Sequence, residues 1–131
     1  MMRVTLLYSG LLTIFFIVLS ARVIIERAAP GKASLGDGGD PVMLRRIRGH
    51  GNFAEYVPLA IVLMGFLELS GSPHWQLHTL GLVLLAGRIL HGYALSFTNN
   101  NPFARSVGII TTNLVLFISA MLCIGRYLGW A

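Results

Sequence analysis

The chain has 131 residues, room for one domain and no more. Hydrophobic residues make up 55% of it and charged residues 11%, about half the charged share of a soluble domain. So much apolar surface on so short a chain excludes a water-soluble globule and points to lipid as the solvent.

Ten Lys and Arg stand against five Asp and Glu, giving a net charge of +5, and nine of the ten cations are Arg. Most lie at the ends of apolar runs rather than on a solvated face, an arrangement that argues against nucleic acid as a partner. It suits anchoring at the membrane edge, in contact with lipids, or the binding of a small anion. Cys123 is the single cysteine and lies within an apolar run, so a disulfide framework is excluded.

In chain order, Val4 to Ala21 carries no charge and is flanked by Arg3 and Arg22. Leu19-Ser20-Ala21 forms a poor cleavage site and further apolar segments follow, so the run reads as a first membrane span, over about 4–27, rather than a cleaved leader. The segment from Ala28 to Pro41, AAPGKASLGDGGDP, is a loop by its glycines and prolines. Asp37 and Asp40 lack the spacing of a calcium-binding hand.

A second helix is expected over about 42–69, with Asp40 as its cap and Pro41 at its start. Its cleanly apolar part, Val57 to Leu67, is too short to span a hydrocarbon core of about 30 Å. To cross, this helix must carry Asn52 and Glu55 towards or into the membrane. Ser70 to Pro73 turns the chain into a third span over about 74–97, which includes Arg88 and His91. Thr98 to Pro102 breaks the helix, and a fourth span is expected over about 103–126, ending on interfacial Arg126, Tyr127 and Trp130. The expected fold is all-α, an up-down-up-down four-helix bundle in a membrane.

Four spans put both termini on one side. Arg22, Arg27, Lys32, Arg45, Arg46, Arg48 and Arg105 lie in or beside the first and third connections, against Arg3 and Arg126 at the other side. The positive-inside rule then places those connections in the cytoplasm and the termini outside.

Ionisable groups at membrane depth are costly and mark function by default. In RRIRGHGNFAEYVP, from Arg45 to Pro58, helical periodicity puts Arg45, Arg48, Asn52, Glu55 and Tyr56 within an arc of roughly 100°. On the third helix, Arg88 and His91 share a face. A structural reading pairs Arg48 or Arg88 with Glu55 as glue between helices. That pairing leaves an excess of arginine: Arg48, Arg88 and Arg105 share one carboxylate at depth. A zwitterionic ligand with net negative charge completes the balance, its carboxylates on Arg forks and its ammonium on Glu55. His74 and His78 are four apart, but no third ligand lies near, so no metal site is expected.

The run RRIRGHGNFAEYVPLA resembles the MAPEG family, membrane-associated proteins of eicosanoid and glutathione metabolism, and GDGGDP before it resembles the family's short bacterial branch. The family pattern is matched by Arg48, His50, Asn52, Glu55, Tyr56 and Pro58, then by Arg88 and His91, then by Pro102, Arg105 and Ser106. The likeness covers nearly the whole chain in the right order. It implies a homotrimer in a bacterial cytoplasmic membrane, with glutathione in a cleft between protomers. It further implies an activity similar to that of microsomal glutathione transferases, a transferase or peroxidase acting on lipophilic electrophiles. Arg48, Asn52, Glu55 and Tyr56, with Arg88 and His91, would hold the tripeptide, and Arg105 would stabilise its thiolate. Arg22 and Ser106 are looser matches.

Two departures stand out. The active human enzymes have a tyrosine four residues after the thiol-polarising arginine, where this chain has Ile109, and a third-helix tyrosine where it has Leu95. A non-catalytic binding or scaffold protein on the same fold is therefore a second reading. A small multidrug-type exporter is a third, but such exporters use a carboxylate deep in the first helix, and Val4 to Ala21 has none.

Overall fold

The computed structural model describes residues 2–130 and contains four α-helices: α1 (Arg3–Arg27), α2 (Pro41–Leu69), α3 (His74–Ser96) and α4 (Pro102–Tyr127). Each is long and apolar enough to cross a bilayer.

The helix starts follow from local chemistry. Asp40 accepts a hydrogen bond from the Val42 N–H at 2.9 Å, with Pro41 in the first turn, where its missing N–H costs nothing. Asn101 and Pro102 repeat the device at α4, the Asn101 side chain accepting from the Ala104 N–H at 3.1 Å. No side chain of its own caps α1. Glu68, at the far end of α2, supplies that cap instead: its two oxygens accept from the N–H groups of Val4 at 2.8 Å and Thr5 at 2.7 Å. This carboxylate fastens the start of α1 to the end of α2.

Cross-contacts set the directions. Val4 meets Glu68 and Arg46 reaches the Arg22 carbonyl, so α1 and α2 are antiparallel. Tyr8 meets His78 and Arg22 meets Ser96, so α1 and α3 are parallel. Gly87 and Gly108 face each other across α3 and α4. The order is up-down-up-down, with α2 and α3 central and α1 and α4 out of contact among the described residues.

The core gathers Leu12 and Leu19 of α1, Phe53, Val57, Ala60 and Met64 of α2, Leu77 and Leu84 of α3, and Val115 of α4. Their steps of three and four residues are one helical stripe per element. The opposite faces stay apolar and exposed, among them Ile14, Ile17, Leu59, Leu82, Ile110 and Phe117. Water would not tolerate that surface; hydrocarbon does. Tyr8 Oη lies 3.2 Å from His78 Nδ1, a structural role for that histidine.

The α1–α2 loop is tied down by charge. Lys32 bridges Asp40 and Glu26, the latter at 2.8 Å, and Arg46 reaches the other Glu26 oxygen at 2.7 Å. Lys32 and the Val42 N–H hold the Asp40 carboxyl below its ordinary value of 3.8. A lowered folded value means stabilisation present above the ordinary carboxylate range and lost as pH falls through the folded value. Protection of the Val42 to Leu44 amides, taken relative to their intrinsic exchange rates, should therefore fall in acid. Asp40→Asn should flatten that pH dependence, and hydrogen exchange followed by mass spectrometry reads both.

Candidate functional site

The first turns of α2, the last turns of α3 and the start of α4 meet at one end of the bundle. They enclose a cavity of about 330 Å³ lined by Leu44, Arg45, Arg48, Asn52, His91, Leu95, Asn100 and Arg105. Successive turns of α2 supply Arg45, Arg48 and Asn52, and α3 supplies His91 and Leu95.

Arg105 is placed by the break before it. Asn100 sits at φ 71°, a left-handed backbone that asparagine tolerates better than most residues. From there its side-chain oxygen accepts a hydrogen bond from Arg105 Nη1 at 3.2 Å. The guanidinium is exposed and aimed at the cavity rather than at a carboxylate.

Behind the lining lies Arg88, 1% exposed. Its Nη1 donates to Asn52 Oδ1 at 2.9 Å, while Nε and Nη2 are buried without a partner. Asn52 thus has one atom committed to Arg88 and borders the cavity as well. His91, one turn along α3, is 5% exposed.

No carboxylate lines this cavity, and three guanidinium groups do. Glu26 and Asp40 are taken by Lys32 and Arg46, and neither Arg48 nor Arg105 forms an ion pair among the described residues. The pairing of Glu55 with Arg48 or Arg88 suggested by the sequence does not form: Glu55 is exposed, and Arg88 turns to Asn52. The cavity can take an anion; within one chain it offers nothing to an ammonium.

The expected site residues are divided. Arg48, Asn52, His91 and Arg105 come together, and Arg88 supports them from behind. Glu55, half-buried Tyr56 and exposed Ser106 lie outside the lining. Arg22 lines a neighbouring cavity instead. The lining residues Leu44 and Asn100 were not singled out from the sequence. For Asn100 a signal existed: three asparagines before a proline mark a turn whose side chains can hold a neighbour.

A separate apolar cavity of about 400 Å³ opens between α1 and α2, lined by Phe16, Phe53, Ala54, Val57 and Pro58 among others. Pro58 lacks the N–H that would bond the Ala54 carbonyl, a local break in the helix ladder at that wall.

Asn52→Leu should leave the buried Arg88 guanidinium without its side-chain acceptor, keeping only the long 3.5 Å bond to the residue 52 carbonyl, and cost about 3 kcal/mol. The double variant Asn52→Leu/Arg88→Met should recover most of that loss. Thermal unfolding in detergent measures the cycle.

Fold and site together define a small integral membrane protein, an all-α bundle with a basic cavity at one end. The chain belongs to the MAPEG family, whose profile matches residues 5–125. It is also similar to the inner membrane protein YecN of Escherichia coli, strain K12 and strain O6:H1 (CFT073), at 50% identity over 62 residues. That stretch is 47% of this chain and 47% of each relative, so the chain spans about half the length of the curated relatives it matches. No solved structure matches the chain.

Proposed function

We propose that the protein is a membrane glutathione-dependent transferase or peroxidase that acts on lipophilic electrophiles. The observation that carries this reading is the cavity in which Arg45, Arg48 and Arg105 converge without a lining carboxylate. Family membership supports it, since the family includes glutathione transferases. The similarity to inner membrane proteins supports a bacterial cytoplasmic membrane as its place, with the arginine-rich connections on the cytoplasmic side.

Glutathione carries two carboxylates, one ammonium and one thiol. Arg45 and Arg48 suit the carboxylates as planar forks. Arg105 suits the sulfur. A cysteine thiol has a pKa of about 8.5, and lowering it by about two pH units needs about 2.7 kcal/mol of preferential thiolate stabilisation. One well-placed guanidinium hydrogen bond in a partly dry site is of that order. The thiolate sulfur then forms a bond to an electrophilic carbon, whose leaving group departs with the electron pair. With a hydroperoxide, the sulfur takes the terminal oxygen as the O–O bond breaks and the alkoxide leaves, protonated to the alcohol; a second thiol then attacks the sulfenic acid sulfur to give the disulfide and water.

Glu55 is the fitting partner for the ligand ammonium, and it lies outside the cavity on the same helix as Asn52. A carboxylate exposed at membrane depth is costly. A homotrimer in which a second protomer covers this face, bringing Glu55 and Tyr56 to the ligand, resolves both points. Under this reading the whole chain is one transmembrane domain.

A second reading is a binding or scaffold protein without turnover. The observation that favours it is Leu95, which lines the cavity where active human relatives place a phenol, with Ile109 one turn beyond Arg105. Turnover of chlorodinitrobenzene or a lipid hydroperoxide by the purified protein separates the two. Saturable glutathione binding without product would favour the second.

A further inference from the structure

Beside the cavity just described lies another, of about 240 Å³, where the end of α1, the start of α2 and the end of α3 meet. Arg22, Arg45 and Arg46 line it, with Ser96, Thr98 and Asn99. Two of the three cations have no carboxylate: Glu26 takes Arg46 at 2.7 Å, Arg22 is held by the Ser96 carbonyl at 2.8 Å and the Phe97 ring at 4.4 Å, and Arg45 has no partner among the described residues.

Donors outnumber acceptors here. The Nε atoms of Arg22, Arg45 and Arg46 are buried without a partner, as is the Ser96 hydroxyl, and Ser96 is only 4% exposed. Three buried guanidinium donors and a buried hydroxyl without partners are costly unless a ligand supplies oxygen atoms. The start of α2 adds the positive end of a helix dipole.

Position selects the ligand. The cavity sits where three membrane-spanning helices begin or end, the part of such a helix expected to meet lipid headgroups, and basic pockets between transmembrane helices at that level hold phosphate groups. Guanidinium forks match phosphate oxygens, and the volume admits a phosphate with its neighbouring atoms.

We propose that this cavity binds a phosphate-bearing anion at the membrane edge, held by Arg22 and Arg45. The proposal does not require glutathione to bind in the first cavity, although the two sites share Arg45. Arg45 and Leu95 border both cavities, so occupancy here would also fix the wall of the first.

The test is calorimetric titration of the detergent-purified protein with dioctanoylphosphatidylglycerol, dioctanoylphosphatidylcholine and inorganic phosphate. Arg45→Gln is the principal variant, because that side chain has no contact whose loss would unfold the chain. Arg22→Gln is the second, and Arg105→Gln the control. Phosphatidylglycerol should bind, and each of the first two variants should weaken it about tenfold, the loss of one charge-assisted hydrogen bond. Arg105→Gln should leave it unchanged. Inorganic phosphate binding with the same Arg45 dependence identifies free phosphate as sufficient, and binding of phosphatidylglycerol alone identifies the headgroup. Absence of binding by both, equal binding of phosphatidylcholine, indifference to Arg45→Gln, or an equal loss with Arg105→Gln would overturn the proposal.

Discussion

Replacing Arg105 by alanine should eliminate the ultraviolet thiolate band of bound glutathione and lower conjugation by about a hundredfold or more. Arg105 is exposed at the first turn of α4, and its guanidinium donates to the Asn100 side chain at 3.2 Å. Its removal opens no core cavity and breaks no ion pair among the described residues. The loss is therefore chemical: the thiolate forfeits its cation, and donors aimed at a developing anion are worth about two to three orders of magnitude. Thermal unfolding should be unchanged, which separates this result from a folding defect. A thiolate band that survives the substitution assigns sulfur activation to another group.

The second large effect falls on the α3–α4 contact. Gly108 is packed so closely that a Cβ there would lie 2.5 Å from the Gly87 carbonyl oxygen and 2.7 Å from the His91 nitrogen. Both are backbone atoms of α3 and cannot turn aside as a flexible side chain could. Gly108→Ala should therefore push α4 from α3 and cost about 3 kcal/mol, the upper range for overpacking. Because Arg105 lies one turn before Gly108, the same displacement moves it from His91 across the cavity, and glutathione binding should fall with stability. Gly10→Ala is the matched control: no atom lies within 4 Å of a Cβ at that position, so helix propensity alone should make it neutral or mildly stabilising. Thermal unfolding in detergent measures both.

The architecture was legible because lipid leaves little choice: four apolar runs, interrupted by Gly, Pro and Asn, must become helices that satisfy their own backbone. The cap at Asp40, followed by proline, marked where α2 begins, and the break over Thr98 to Pro102 marked the approach to α4, whose cap at Asn101 the structure supplies. The cap on α1 was not readable, since Glu68 reaches it across more than sixty residues of chain.

At the site, helical periodicity put Arg45, Arg48, Asn52, Glu55 and Tyr56 on one arc; the first three line the cavity, and Glu55 and Tyr56 lie outside it. Periodicity gives the angle around an axis, not the depth at which a neighbouring helix ends. Asn52 is the last α2 residue of the lining, and its side chain is held there by the buried Arg88. Which of two cavities Arg22 borders was likewise invisible, since it depends on Ser96 and Phe97 at the end of another helix.

The most direct measurement is calorimetric titration of the detergent-purified protein with glutathione, repeated with Arg48→Gln and with Glu55→Gln. Saturable binding, weakened about tenfold by each substitution through the loss of one charge-assisted contact, is the expected result. No heat of binding, or an affinity that both substitutions leave untouched, would contradict the assignment of the α2 arginine face to a thiol tripeptide.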